Sequence, residues 1–148
     1  MPEKRTVERA REDAREGKAP STQAGEFVRE EMDHIREGKH GAASTKQAIA
    51  IGLSKARRAG VKLPAPKGKQ SEATKQKARR DLQRGQSGAS HTVSGKRSRA
   101  TTQALKKEGH SAASKSELSK QARSAARKRG PGSRHAAAVR AGQTRKAA

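Results

Sequence analysis

The chain has 148 residues, a formal net charge of +22 at pH 7, a mean hydropathy of −1.15 and no cysteine. These figures exclude disulfides, thiolate metal sites and cysteine nucleophiles, and no apolar run approaches the roughly 20 residues of a membrane span. The charge is uneven: residues 1–40 hold nine Lys/Arg against ten Asp/Glu, whereas residues 41–148 hold 27 against the four acids Glu72, Asp81, Glu108 and Glu117. A cationic segment of that density attracts polyanions, of which nucleic acid is the most abundant in a cytoplasm. The start, MPEKRTVERAREDAREG, lacks the apolar stretch of a signal peptide, so a cytoplasmic, nucleoid-associated location is expected.

In chain order, residues 5–16 read as a charge-laced helix with little apolar content beyond Val7, Ala10 and Ala14, ending at Gly17 and followed by Pro20 as a breaker. Ser21 is a candidate N-cap for a stronger helix over residues 22–37, closed by Gly38. At 100° per residue, Ala24, Phe27, Val28, Met32 and Ile35 share one face of it, and Glu26, Glu30, Asp33 and Glu37 form a stripe on the other. That stripe is expected to face water or the basic tail, where it would compete with phosphate. Ser44 and Gln47 have capping-box spacing for the next helix, which runs to about residue 59 with Gly60 as its C-cap. Its face of Ile49, Leu53 and Ala56 opposes an outer face carrying Gln47, Ile51, Lys55 and Arg58. The two apolar faces predict a helical hairpin over residues 21–63.

Residues 64–70, with Pro64, Pro66 and Gly68, read as a linker. Beyond Leu63 the large apolar side chains are only Leu82, Val93, Leu105, Leu118 and Val139. Each buried one returns about 1.5–3 kcal/mol against roughly 1–2 kcal/mol of backbone entropy for every residue ordered. Residues 71–148 are therefore expected to be a basic low-complexity tail with transient helices over residues 71–84, 101–108, 114–129 and 134–141. The sequence prediction is mainly α: a small helical hairpin after a weakly docked helix (1–20), then a largely disordered or loosely helical basic tail.

Each Lys or Arg that reaches a phosphate releases condensed counterions, so clustered cations suit backbone binding. The candidates are Lys55 and Arg58 on the hairpin; Lys75, Lys77, Arg79, Arg80 and Arg84; Lys96, Arg97, Arg99, Lys106 and Lys107; and Lys120, Arg123, Arg127, Lys128 and Arg129. Tyr and Trp are absent and the one Phe is claimed by the core, so stacking on single-stranded bases is disfavoured. As a helix-turn-helix the hairpin has too long a loop and lacks base-reading side chains on its second helix. No enzyme is expected. Gly95-Lys96 fails as a phosphate loop, because Arg97 stands where Ser or Thr is needed and Ser90 where the first Gly is. The five histidines (His34, His40, His91, His110, His135) are scattered. Asp33, His34 and His40 are the closest-spaced possible ligand set, but without a third well-spaced strong ligand they read as a solvated turn, and no metal or other cofactor is expected.

Residues 46–57, KQAIAIGLSKAR, resemble a family of small basic bacterial and phage-associated proteins of unknown function whose shared signature looks like K-Q-A-I-A-I-x-L-S-x-A. Lys46, Gln47, Ala48, Ile49, Ala50, Ile51, Leu53, Ser54 and Ala56 match it. The likeness extends back through STQAGEFVREEMDHIREGKHG to cover about residues 20–64, and it implies no activity or catalytic residue. The tail is similar in composition to bacterial histone-like proteins.

The expected function is nucleic-acid binding without sequence preference, DNA slightly ahead of RNA, with neither a membrane nor a small-molecule substrate as partner. A hydrophilic stress protectant and a ribosome- or ribonucleoprotein-associated RNA binder are the alternatives.

Overall fold

The closures of the first helices are legible in their own residues, and the computed structural model, which describes residues 2–88 and 94–147, shows how each is made. Helices α1 (Lys4–Arg15), α2 (Pro20–Arg36) and α3 (Thr45–Arg58) follow one another. After α2, Gly38 takes φ 73°, its N–H bonds the Ile35 carbonyl (3.2 Å) and the Lys39 N–H bonds that of His34 (3.0 Å). Gly60, at φ 97°, closes α3 the same way onto Arg57 and Ala56. A left-handed residue is what lets the chain turn back onto its last free carbonyls. At the start of α3 the Ser44 hydroxyl accepts the Gln47 N–H (3.2 Å), while Gln47 Oε1 accepts the N–H of Ala43 (2.7 Å), one residue earlier than in the usual reciprocal cap. The expected N-cap of α2 is corrected: Pro20 begins the helix and Ser21 lies inside it. Proline suits that place because its ring holds a helical φ and its missing N–H has no partner to lose.

Helices α2 and α3 pack against each other, α1 lies on α2, and α4 (Glu72–Gln86) lies on α3. One core cluster is Ala10, Ala24, Phe27, Ala56 and Val61, flanked by Val7, Leu53, Ala59 and Leu63; Met32, Ile35, Ala42, Ala48, Ala78, Ala112 and Ala113 are buried as well. Alanine dominates these buried positions, and α2 and α3 meet almost backbone to backbone. A Cβ at Gly52 would lie 2.8 Å from Val28 Cα, so only glycine permits this crossing.

The expectation of a largely disordered or loosely helical tail is overturned. Within residues 72–147, the described residues include α4, α5 (Gly95–Lys106), a one-turn 3₁₀ segment (Ser111–Ala113) and α6 (Lys115–Ala147). Helix α4 is capped by the Ser71 hydroxyl, which accepts the Thr74 N–H, and it buries Ala78 and Asp81. A Cβ at Gly85 would strike the Arg57 carbonyl oxygen. Helix α5 begins at Gly95, six residues before the expected 101. Its end is tied to the loop before α3: the Leu105 and Gly109 carbonyls accept the N–H groups of Gly41 (2.9 Å) and Ala42 (3.0 Å). Thr45 Oγ1 donates to the Ala112 carbonyl (2.6 Å) and Arg36 Nε to that of Ala113 (3.1 Å). Counting only large apolar side chains missed these attachments, which use alanine, glycine and backbone polar groups.

Residues 1–113 form one compact unit and residues 114–148 a second. In the second, the Ser114 hydroxyl accepts the Glu117 N–H at the start of α6 (3.3 Å). The helix breaks at Gly130 (φ 75°, ψ 169°), next to Pro131, and then continues past the expected end at 141. Ala, Arg and Lys dominate it, and these residues carry a small helix-forming cost. Residues 89–93, which include Ser90, His91 and much of the expected Gly/Ser-rich loop, lie outside the described residues. Among the described residues there is no strand, and no helix is long and apolar enough to cross a membrane.

Candidate functional site

Most of the candidate cations stand on the outer faces of helices. On α4, Lys77, Arg80 and Arg84 are spaced i, i+3, i+7 and share one exposed strip, with Arg79 exposed beside it. Their strip flanks the face on which Ala78, Asp81 and Gly85 meet α3. On α5, Lys96, Arg97, Arg99 and Lys106 are exposed, as is Lys107 at its end. On α6, Lys120, Arg123 and Arg127 repeat the i, i+3, i+7 spacing, with Lys128 and Arg129 exposed alongside. Among the described residues none of these pairs with a carboxylate except Lys120, whose Nζ is 2.6 Å from Glu117 Oε1. Lys75 is half-buried and bonds Glu72 (2.8 Å). Arg58 is exposed and, among the described residues, has no acidic partner; its Nε donates to the Ser54 carbonyl (3.3 Å).

Lys55 is placed differently from the outward face expected of it. Its Nζ lies 2.6 Å from Glu31 Oε2 and 3.6 Å from Glu30 Oε1, with only 15% of the side chain exposed. The reason is that α3 crosses α2 at Gly52, which turns the next turn of α3 toward the acids of α2. The acidic stripe is corrected in part, at Glu26 and Glu30. Glu30 is buried and accepts the Glu3 N–H (3.1 Å). Glu26 pairs with Arg9 of α1, Asp33 with Arg36, and Glu37 with Lys39. Glu26 and Glu30 are thus engaged by groups from the α1 region and α3, whereas Asp33 and Glu37 keep local partners and stay about half exposed.

The end of α2 gathers a second group. Glu31 is fully buried, and the side chains of His34 and His40 are 14% and 15% exposed. The expected solvated turn of Asp33, His34 and His40 is therefore replaced by a sheltered cluster in which Glu31, not Asp33, joins the histidines. The two rings lie edge to face with centroids 6.2 Å apart. His34 Nε2 is 3.0 Å from Glu3 Oε1, and this hydrogen bond, with Lys39 nearby, holds the Glu3 carboxyl below its ordinary value against the opposing effect of desolvation. Glu31-x-x-His34 is a one-turn helical spacing that was present in the sequence. The identity of its partners was not.

Arg57 is the other residue that sequence reasoning passed over. It is 7% exposed, and its guanidinium donates to the carbonyls of Leu63 (3.1 Å) and Pro64 (3.0 Å), pinning the linker to the end of α3. Burial lowers its pKa, partly offset by Asp81.

Residues 21–68 match the model of a family of unknown function, DUF6496. The match takes in α2, α3 and the first part of the following connection, and it encloses the segment 46–57. Neither a curated protein nor a solved structure matches the chain.

Proposed function

We propose that this chain binds nucleic acid, DNA ahead of RNA, through phosphate contacts and without reading base sequence, as a nucleoid-associated protein and not as an enzyme. The observation that carries the reading is that, among the described residues, the exposed Lys77, Arg79, Arg80 and Arg84 on α4, Lys96, Arg97, Arg99 and Lys106 on α5, and Arg123, Arg127, Lys128 and Arg129 on α6 have no acidic partner. A cation already neutralised by a neighbouring carboxylate gains little from a phosphate. An unpaired one exchanges only water and a condensed counterion for it. Because these side chains stand on formed helices, backbone ordering adds little to the cost of binding. Phe27 is 0% exposed and is the only aromatic residue other than histidine, which leaves no stacking platform for single-stranded bases and favours a duplex backbone.

The test is a salt-titrated binding assay on duplex DNA of two unrelated sequences, on duplex RNA and on single-stranded DNA. Saturable binding whose log K falls linearly with log salt, equal for the two DNA sequences, is expected. No saturable binding at low salt would overturn the reading in favour of a protectant. A preference for RNA that persists at every salt concentration would overturn it in favour of a ribonucleoprotein component.

A further inference from the structure

Glu31 and His34 project from one face of α2, and the turn closed by Gly38 brings His40 back to the same place. One ligand atom from each of the three lies within 4.8 Å of the others. A fully buried carboxylate demands compensation for each oxygen. Lys55 Nζ stands 2.6 Å from Oε2, yet neither oxygen of Glu31 receives a hydrogen bond of acceptable geometry, and Oε1 faces His40 Nε2 at 3.4 Å.

The protonation of His40 sharpens the point. Its Nδ1 is 3.0 Å from the Gly41 carbonyl oxygen, and a carbonyl can only accept, so Nδ1 carries the proton. In the neutral ring Nε2 then bears a lone pair directed at a carboxylate oxygen. Two acceptors then face each other, and a positive centre belongs between them, either a second proton on the ring or a metal ion. Tetrahedral zinc, with bonds of about 2.0–2.1 Å to imidazole nitrogen and carboxylate oxygen, sets adjacent ligands about 3.3 Å apart. That is the separation observed across this gap. A carbonyl behind the ligating imidazole, holding its tautomer, is the usual outer partner of a metal-bound histidine.

We propose that Glu31, His34 and His40 form a binding site for a divalent transition metal, zinc in particular. Lys55 holds the second oxygen of Glu31, and the Glu3 carboxylate stands at the rim beside His34. Two imidazoles and one carboxylate leave a fourth position open to water or to Glu3. The ion ties α2 to the loop before α3. The proposal is independent of nucleic-acid binding, since none of its three ligands is among the exposed cations.

The experiment is titration of zinc into the full chain, stripped with chelator, against a chromophoric competitor, together with thermal melts in zinc and in chelator. One equivalent should bind, and zinc should raise the melting temperature. His40→Ala, in a loop, retains the helical circular dichroism and should bind zinc at least ten-fold more weakly, with the zinc-dependent shift lost. His135→Ala, on the exposed surface of α6, should change neither. Absence of stoichiometric binding by the unaltered chain, or equal affinity in His40→Ala, would overturn the site.

Discussion

Ser54 Oγ donates a 2.6 Å hydrogen bond to Asp81 Oδ2, joining α3 to α4 between residues 27 positions apart in the chain. Asp81 is 7% exposed, so the carboxylate depends on protein donors. Ser54→Ala leaves it short of one and should cost about 1–3 kcal/mol, read as a lower urea midpoint and faster hydrogen exchange in α4. An unchanged midpoint would mean that α4 docks without this bond.

Two glycines of the hairpin should respond to alanine with opposite signs. At Gly52 the new Cβ would meet the backbone of Val28 at 2.8 Å, and the helices must part, costing about 1–3 kcal/mol. At Gly25, inside α2, a Cβ meets nothing within 4 Å. There alanine should add about 0.5–1 kcal/mol through helix propensity alone. Urea unfolding of the two variants measures both effects.

Lys55 and Arg58 are three residues apart, and the structure separates their roles. Lys55→Met strands the buried Glu31 carboxylate and should destabilise the fold by about 3–5 kcal/mol, measured in chelator. Arg58→Gln, at an exposed position, should leave the urea midpoint within about 0.5 kcal/mol of the unaltered chain. If the chain binds duplex DNA as proposed, Arg58→Gln should weaken that binding.

Replacing Lys77, Arg80 and Arg84 together with glutamine should lower the slope of log K against log salt by about 2.7, at roughly 0.9 for each phosphate no longer neutralised. The weakening should be the same for unrelated duplex sequences. Lys75→Gln, which removes a side chain already bonded to Glu72, should change the slope less than any one of the three. A weakening confined to one sequence would show that α4 reads bases.

The cluster of Glu31, His34 and His40 shows what was hidden in the sequence. Glu31 and His34 sit a helical turn apart, a relation the sequence displays. Their union with His40 and Lys55 requires the Gly38 turn and the α2–α3 crossing together. Asp33, nearer to His34 in sequence, points elsewhere and bonds Arg36.

What the sequence by itself determined is local. The Ser44, Ser71 and Ser114 caps, the Gly38 and Gly60 closures, the break at Gly130 and the concentration of charge beyond residue 40 all arise from a residue and its neighbours within a turn or two. Only the tertiary structure decided that Lys55 serves Glu31, that Arg57 holds the linker carbonyls, and that α4 and residues 105–113 join the hairpin. Those outcomes depend on close approach between distant segments made of alanine, glycine and backbone groups. Such residues carry no hydrophobic signature, and their energetic weight comes from the distance at which two surfaces meet.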